Sequence, residues 1–238
     1  MGVIMKRNFW SYISNGKYSI GTTGGMVYVY DETDREVAQL KVTNYSYELS
    51  FFPDGRRFAV RSNEGVIAVY DLCDFHLIKK FRYGKAKDPH DGNMCVSLDC
   101  KYLYVINYTF DTKKDTPDWW IDVYETESFT LAKTLFKEEE IYPTYIEWAE
   151  DEQSFYILGS ANNCKWRFGC DYIIAKYDGE KLLTKVIYEK TERLYSNLKK
   201  WQMSGFTARQ REWIYPKDQV LEKLDKPLAK LWKIKSKK

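Results

Sequence analysis

Four segments of this chain carry nearly the same sequence. They are residues 27–31 (Val-Tyr-Val-Tyr-Asp), 67–71 (Ile-Ala-Val-Tyr-Asp), 121–125 (Ile-Asp-Val-Tyr-Glu) and 174–178 (Ile-Ala-Lys-Tyr-Asp). The shared tyrosines recur at intervals of 40, 54 and 53 residues. β-Branched and aromatic residues favour strands, and a self-similar period of about 40 to 50 residues is typical of the blades of a β-propeller. The chain is therefore predicted to be an all-β repeat protein.

The rest of a four-stranded unit surrounds each of these segments. Ahead of the second segment, Pro53, Asp54 and Gly55 predict a tight turn that joins two strands. The other copies place residues 14–17, 98–101 and 150–153 at the same turn, each followed by an apolar run at 18–20, 103–106 and 155–158. Fourth strands are predicted at about residues 36–41, 76–81, 130–136 and 181–188. The pattern predicts four units of four antiparallel strands.

The second copy also carries a family resemblance. Residues 52–65 read Phe-Pro-Asp-Gly-Arg-Arg-Phe-Ala-Val-Arg-Ser-Asn-Glu-Gly and precede Ile-Ala-Val-Tyr-Asp. This resembles the WD40 repeat, which commonly reads Ser-Pro-Asp-Gly, an apolar strand, Asp-Gly and then Ile-x-Val-Trp-Asp. Every copy here has Tyr in place of that Trp, and the opening Gly-His dipeptide is absent. The resemblance implies WD40-like blades over about residues 8–188, without the buried Asp-His-Ser/Thr-Trp network of the family.

The predicted organisation is a WD40-like β-propeller over residues 1–190 and a basic extension over residues 191–238. A chain of 238 residues, 44% hydrophobic and 17% aromatic, can bury the apolar layers between blades. Four blades are few for a closed ring. Either four blades close, or the C-terminal segment adds a partial fifth blade, or a homo-oligomer completes an open array.

The extension holds most of the positive charge. From Lys217 onward there are eight lysines and three acidic residues, whereas the whole chain has a net charge of +3. Its apolar residues fall near helical spacing and are Val220, Leu221, Leu224, Leu228, Leu231 and Trp232, with Pro227 dividing the run. We expect a short, partly helical segment that caps the end blade. The alternative is a basic amphipathic segment that touches an acidic partner or a membrane surface.

Location and metal binding are predicted from absent patterns. No apolar stretch approaches the roughly 20 residues of a membrane span, and the N-terminus has no signal-like apolar run. The five cysteines are irregularly spaced. Cys95 and Cys100 are not expected to meet Cys164 and Cys170, since Cys100 lies in a turn at the opposite end of a blade. The sequence therefore predicts a cytoplasmic protein without a transmembrane segment, metal or cofactor.

Catalytic patterns are sparse. The chain has two histidines and no nucleophile elbow, P-loop or dinucleotide fingerprint. The nearest cluster is Asp88, His90 and Asp91, whose sequence favours an ordinary turn. We predict a non-catalytic protein-interaction scaffold. The alternative is a propeller enzyme or small-ligand binder that uses the rim around His90.

Long connections are predicted at residues 83–92, 108–119 and 160–171, all on one rim of adjacent blades. Insertions gathered on one face are the usual way in which a repeat protein builds a binding surface. Their aromatic and basic residues are the predicted contacts with a partner protein: His90, Phe110, Lys113, Lys114, Trp119, Trp120, Lys165, Trp166, Arg167 and Phe168. Alternatively, some of these aromatics pack the loops down. Nucleic acid is disfavoured because a net charge of +3 is small for such a partner.

Overall fold

The computed structural model describes residues 9–83, 94–111, 116–136, 141–148, 154–161, 172–178 and 181–188. These residues form sixteen β-strands. Among them, no helix has the length and apolar character that crossing a membrane requires. The predicted extension over residues 191–238 lies outside the described residues.

The strands form four antiparallel sheets, each built from four consecutive strands. Blade 1 contains β1 (Ser11–Ser14), β2 (Tyr18–Thr23), β3 (Met26–Asp31) and β4 (Glu36–Lys41), and blade 2 contains β5 (Ser46–Phe51), β6 (Arg57–Ser62), β7 (Val66–Asp71) and β8 (Leu77–Arg82). Blade 3 contains β9 (Met94–Val96), β10 (Tyr102–Asp111), β11 (Thr116–Glu125) and β12 (Leu131–Leu135), and blade 4 contains β13 (Ile141–Trp148), β14 (Ser154–Ala161), β15 (Tyr172–Asp178) and β16 (Lys181–Tyr188).

The blades are arranged around their first strands. β1 contacts β5, β5 contacts β9 and β9 contacts β13, so the first strands are innermost and the fourth strands are outermost. Extensive contacts between described strands join successive blades only. Four-stranded antiparallel blades packed in chain order make a β-propeller. The predicted all-β propeller fold is therefore confirmed, and all four repeat tyrosines lie in third strands, as predicted.

The core consists of apolar layers between successive blades. Alternate residues of a strand point to opposite faces, and a middle strand is covered on both faces. In β6, Phe58 and Val60 contact the layer shared with blade 1, whereas Ala59 contacts the layer shared with blade 3. Burial on both sides explains why a middle strand such as β7, which reads Val-Ile-Ala-Val-Tyr-Asp, is a continuous apolar run rather than an alternating one.

The repeat tyrosines of blades 2, 3 and 4 face the preceding blade. Tyr70 stacks on Phe58 with ring centroids 5.4 Å apart. Tyr124 lies 5.2 Å from Phe81 of blade 2, and Tyr177 lies 4.5 Å from Phe136, which follows the last strand of blade 3. A flat aromatic side chain in the third strand therefore helps to join one blade to the next.

Blade 1 has no preceding blade among the described residues, and Phe9 covers this face instead. The Phe9 ring lies 5.9 Å from the ring of Tyr12, 6.0 Å from that of Tyr28 and 6.1 Å from that of the repeat tyrosine, Tyr30. A Cβ atom on Gly21 would lie 2.5 Å from the Phe9 ring, so glycine makes room for this contact. Phe9 thus occupies the place that an aromatic of a preceding blade takes elsewhere.

The turns between first and second strands follow the predicted chemistry. Gly55 has a φ of +69°, and the Asp54 carboxylate accepts a hydrogen bond from the Arg56 amide at 2.8 Å. Blade 3 uses Asp99 in the same way, with the Lys101 amide at 3.0 Å. Cys100 there takes a φ of +59°, the conformation for which glycine is otherwise preferred.

Residues 108–119 differ from the predicted loop. β10 and β11 continue as a paired hairpin up to Asp111 opposite Thr116. The aromatic and β-branched residues that were interpreted as loop content favour strands, and here they extend the ladder. Each strand has 10 residues, against 6 in each of β6 and β7. The four extra residues make the hairpin longer by about 13 Å, at about 3.3 Å per residue.

Candidate partner-binding rim

We name one end of the blades the connection rim. It contains the hairpin loops at 24–25 and 63–65 and the connection at 42–45 from blade 1 to blade 2. The Val42 amide donates to the Gly25 carbonyl at 3.1 Å, and the Ser46 amide donates to the Gly24 carbonyl at 2.7 Å. A Cβ atom on Gly25 would lie 1.6 Å from the Thr43 carbonyl oxygen, so only glycine allows this approach. These contacts fix the backbone of the rim.

Two aromatic side chains are exposed on this rim. Trp10 directly precedes the first strand of blade 1, and Tyr45 directly precedes the first strand of blade 2. Their side chains are 41% and 48% exposed. Their rings stack with centroids 6.0 Å apart and an angle of 9° between planes. The Trp10 amide donates to the Thr22 carbonyl at 2.8 Å, and the Tyr45 carbonyl accepts from the Asn63 amide at 3.2 Å. The pair is therefore an exposed aromatic surface on a fixed backbone.

A cleft of about 390 Å³ lies beside this pair, between blades 1 and 2. Its lining residues come from the end of β4, the connection, the β6–β7 loop, the start of β7 and β8: Lys41, Thr43, Asn44, Glu64, Val66, Lys80, Phe81 and Arg82. Three of these residues are cationic and one is acidic. Asn44 of the cleft directly precedes Tyr45 in the chain, so the cleft reaches the backbone position next to the aromatic pair.

Hydrogen bonds hold Lys80 and Glu64 at the wall of the cleft. The Lys80 ammonium donates to the Val42 carbonyl at 2.7 Å, across the interface between the two blades. The Arg82 guanidinium donates to the Glu64 carbonyl at the longer distance of 3.5 Å, and the Glu64 carboxylate accepts from the Asn44 amide group at 2.8 Å. Within the described residues, the ion pairs do not involve Lys41, Lys80 or Arg82. The cleft is therefore electropositive.

Below the rim, a buried arginine joins blade 2 to blade 3. Arg61 is 1% exposed. Its Nε donates to the Tyr83 hydroxyl at 2.9 Å, and its guanidinium lies 4.7 Å from the centre of the Tyr83 ring. The Tyr83 hydroxyl donates to the Ser62 carbonyl at 2.6 Å. This network fixes the residue that ends blade 2, because Tyr83 directly follows β8.

The network continues into blade 3. Arg61 Nη2 donates to Asn107 Oδ1 at 3.4 Å, and Asn107 Nδ2 donates to Asp122 Oδ2 at 2.7 Å. The Thr134 hydroxyl donates to the other Asp122 oxygen at 2.7 Å. Glu48 is paired with Arg61 in the register of β5 and β6. Burial raises the pKa of Glu48 to about 7, and the charge of Arg61 opposes part of that rise.

Three of the predicted contact residues lie on the blade 3 hairpin. Trp119 is half-buried and packs against the layer between blades 3 and 4. Trp120, also half-buried, is opposite Asn107, and Phe110 is opposite Pro117. The other predicted contacts lie outside the described residues: His90, Lys113, Lys114, Lys165, Trp166, Arg167 and Phe168.

The aromatic pair and the cleft are not among the residues predicted from the sequence. The predicted contacts lie in long connections, whereas Trp10 and Tyr45 lie in short segments before first strands. The sequence does contain a signal for this surface, because an aromatic residue directly precedes the first strand in both blades. Lys80 and Arg82 lie two residues apart on β8 and so share the face toward blade 1.

On the opposite rim, three exposed or partly exposed side chains come close together. The ligand atoms of Asp71, Asp74 and His76 lie within 4.8 Å of one another. His76 Nδ1 lies 2.5 Å from Asp74 Oδ1, and this hydrogen bond raises the pKa of His76 and lowers that of Asp74. Both carboxylates also accept backbone amides of the same turn, from Cys73 and His76. The cluster is thus explained by the chemistry of an exposed turn.

No known protein family matches the chain, and no curated protein does. Among solved structures, it is similar to Kuenenia stuttgartiensis hydrazine synthase, with a TM-score of 0.60 and 15% sequence identity. The match covers 79% of this chain and 53% of that chain. The chain therefore spans about half the length of the similar structure. At this identity the similarity shows the fold alone.

Proposed function

We propose that this chain is a WD40-like propeller that acts as a non-catalytic scaffold and docks a partner protein on the connection rim. The observation that carries the proposal is the exposed Trp10–Tyr45 pair beside the cationic cleft. The repeat sequence, with Tyr in place of the WD40 Trp, supports the assignment of the blades. The irregular cysteines support a cytoplasmic location.

The chemistry of the rim supports binding to a protein. Trp, Tyr and Arg are the residues that most often dominate the binding energy of protein interfaces. Trp10 and Tyr45 already stack on a fixed backbone, so little conformational entropy remains to be lost when a partner covers them. The blade 3 hairpin, with Phe110, Trp119 and Trp120, adds length on the same rim. The predicted contacts from other loops belong to the same proposed surface.

A double variant tests the proposal. Trp10→Ala with Tyr45→Ala removes the pair, and Tyr102→Ala removes a partly exposed aromatic at the other end of a blade. The full chain and both variants are used to capture proteins from a lysate of the source cells, and the affinity of a captured partner is then measured by calorimetry.

We expect the double variant to bind the partner at least about tenfold more weakly, because truncation of a central aromatic anchor costs about 2 kcal/mol or more. The Tyr102→Ala control should bind as the unmodified chain does. Equal affinity for the double variant would overturn the proposed rim. An enzymatic turnover that His90→Ala abolishes would overturn the non-catalytic assignment.

A further inference from the structure

We infer that the cleft between blades 1 and 2 receives an extended acidic segment of the partner protein, while an apolar side chain next to that segment packs on Trp10 and Tyr45. The inference rests on the proposed function and specifies the chemistry of the partner. The supporting observations are the three cations of the cleft, the hydrogen bond that holds Lys80, and the position of Asn44 directly before Tyr45.

Cationic side chains outnumber acidic ones in the cleft. Lys41, Lys80 and Arg82 line the cleft together with a single acidic residue, Glu64. Glu64 is already engaged by Asn44, whereas the described ion pairs use none of the three cations. A carboxylate that enters the cleft therefore meets cations whose charge is not neutralised by a described ion pair. Such complementarity favours association with acidic partners and rejects basic ones.

This cleft differs from an ordinary edge strand that carries lysines. β8 is the outer strand of blade 2, and edge strands often carry lysines that prevent pairing with other chains. Lys79 fits that role, since it lies on the alternate face of the strand, although both lysines are exposed. Lys80 differs, because its ammonium is bonded to a carbonyl of blade 1. Its charge is therefore held at the wall of the cleft, and fixed donors lose less entropy on binding.

The shape of the cleft suits an extended segment. The cleft follows the outer strand of a blade toward the connection rim, and the aromatic pair begins one residue beyond Asn44. An extended segment bound along an edge strand presents successive side chains to alternate sides. Acidic side chains can then contact Lys80 and Arg82, and a neighbouring apolar side chain can reach Tyr45.

The same surface is less suited to single-stranded nucleic acid. Such partners need a groove of cations that follows several phosphates, with aromatic faces open to successive bases. Here the two rings stack on each other, so each has one face covered, and the cleft contains Glu64. The net charge of the chain is +3. An acidic protein segment fits these features better.

Fluorescence anisotropy with defined probes tests the inference. The probes are a labelled peptide of about ten residues, containing mostly Glu with one Trp, the same peptide with Gln for Glu, and an oligothymidylate of equal length. The full chain is compared with Lys41→Gln plus Arg82→Gln. The matched control is Lys17→Gln plus Lys101→Gln, which removes the same charge from turns on the opposite rim.

We expect the acidic peptide to bind best, and the cleft variant to bind it about tenfold more weakly than the control variant does. Added salt should weaken this binding. Equal loss in the cleft and control variants, equal binding of the Gln peptide, or tighter binding of the oligothymidylate would overturn the inference.

Capture from lysate separates this inference from the function on which it rests. Loss of the captured partner in the Trp10→Ala, Tyr45→Ala variant but not in the cleft variant would overturn the inference alone. Cleft-dependent binding of the acidic peptide, together with a captured partner that neither variant affects, would overturn the proposed function.

Discussion

Replacement of Glu48 by Gln should change how stability depends on pH. Glu48 lies opposite the buried Arg61 in the β5–β6 register of blade 2, and its burial raises its pKa from 4.5 to about 7. Gln has a similar shape but cannot ionise. The variant therefore isolates the cost of placing a carboxylate charge at this position.

The direction in which stability changes with pH follows from the direction of the pKa shift of Glu48. Because the pKa is raised in the folded state, the contribution of Glu48 to stability is fully present below about pH 4.5 and is lost as the pH rises through about 7. Each unit of pKa shift corresponds to about 1.4 kcal/mol, which gives about 3 kcal/mol for the rise from 4.5 to about 7. The side chain is only partly buried, and solvent screening reduces this to about 2 kcal/mol.

The assay is urea denaturation of both proteins at about pH 4.5 and about pH 8, with the free energy of unfolding taken from the midpoint and slope. Relative to Glu48→Gln, the unmodified chain should lose about 2 kcal/mol between the two pH values. Glu32→Gln, which removes a carboxylate from an exposed turn, controls for net charge. A pH-independent difference would refute the raised pKa. A difference of opposite sign would mean that attraction to Arg61 outweighs burial.

Three further predictions follow from the interblade contacts and the rim. Arg61→Met should lower the free energy of unfolding by about 3 to 5 kcal/mol in urea titration, because it breaks a buried charged network; a loss below about 1 kcal/mol would mean that the network contributes little. Gly25→Ala should prevent folding or lower the melting temperature by many degrees, since its Cβ would overlap the backbone of the connection, whereas Gly16→Ala has open space and should cost only about 1 kcal/mol of positive-φ strain. Trp166→Ala with Arg167→Ala should weaken partner binding about tenfold at an unchanged melting temperature; normal binding with a lower melting temperature would assign both residues to loop packing.

The sequence predicted the blades well because each blade repeats the same local chemistry. Turn residues such as Asp54 and Gly55 act within a few residues of themselves, and the repeat tyrosines mark the same strand each time. The long loop predicted at 108–119 was wrong, because strand-forming aromatic residues were interpreted as loop content. Both outcomes depend on local preference, which a sequence displays directly.

The polar network and the cleft could not be predicted in this way. Arg61 and Asn107 are 46 residues apart, and Asn107 and Asp122 are 15 apart, so only the register of the strands and the packing of two blades bring them together. Lys80 and Val42, 38 residues apart, meet for the same reason. Contacts between repeats depend on the relative placement of blades, which the pattern within one repeat does not contain.

The contacts of Phe9 allow blade 1 to fold before blade 2 is synthesised. Phe9 covers blade 1 through contacts with Tyr12, Tyr28 and Tyr30, all close by in the chain. During synthesis, these residues leave the ribosome before blade 2 does, so the first blade can form with these tyrosine side chains already packed on Phe9. Later blades can then pack on the other face of blade 1 in chain order.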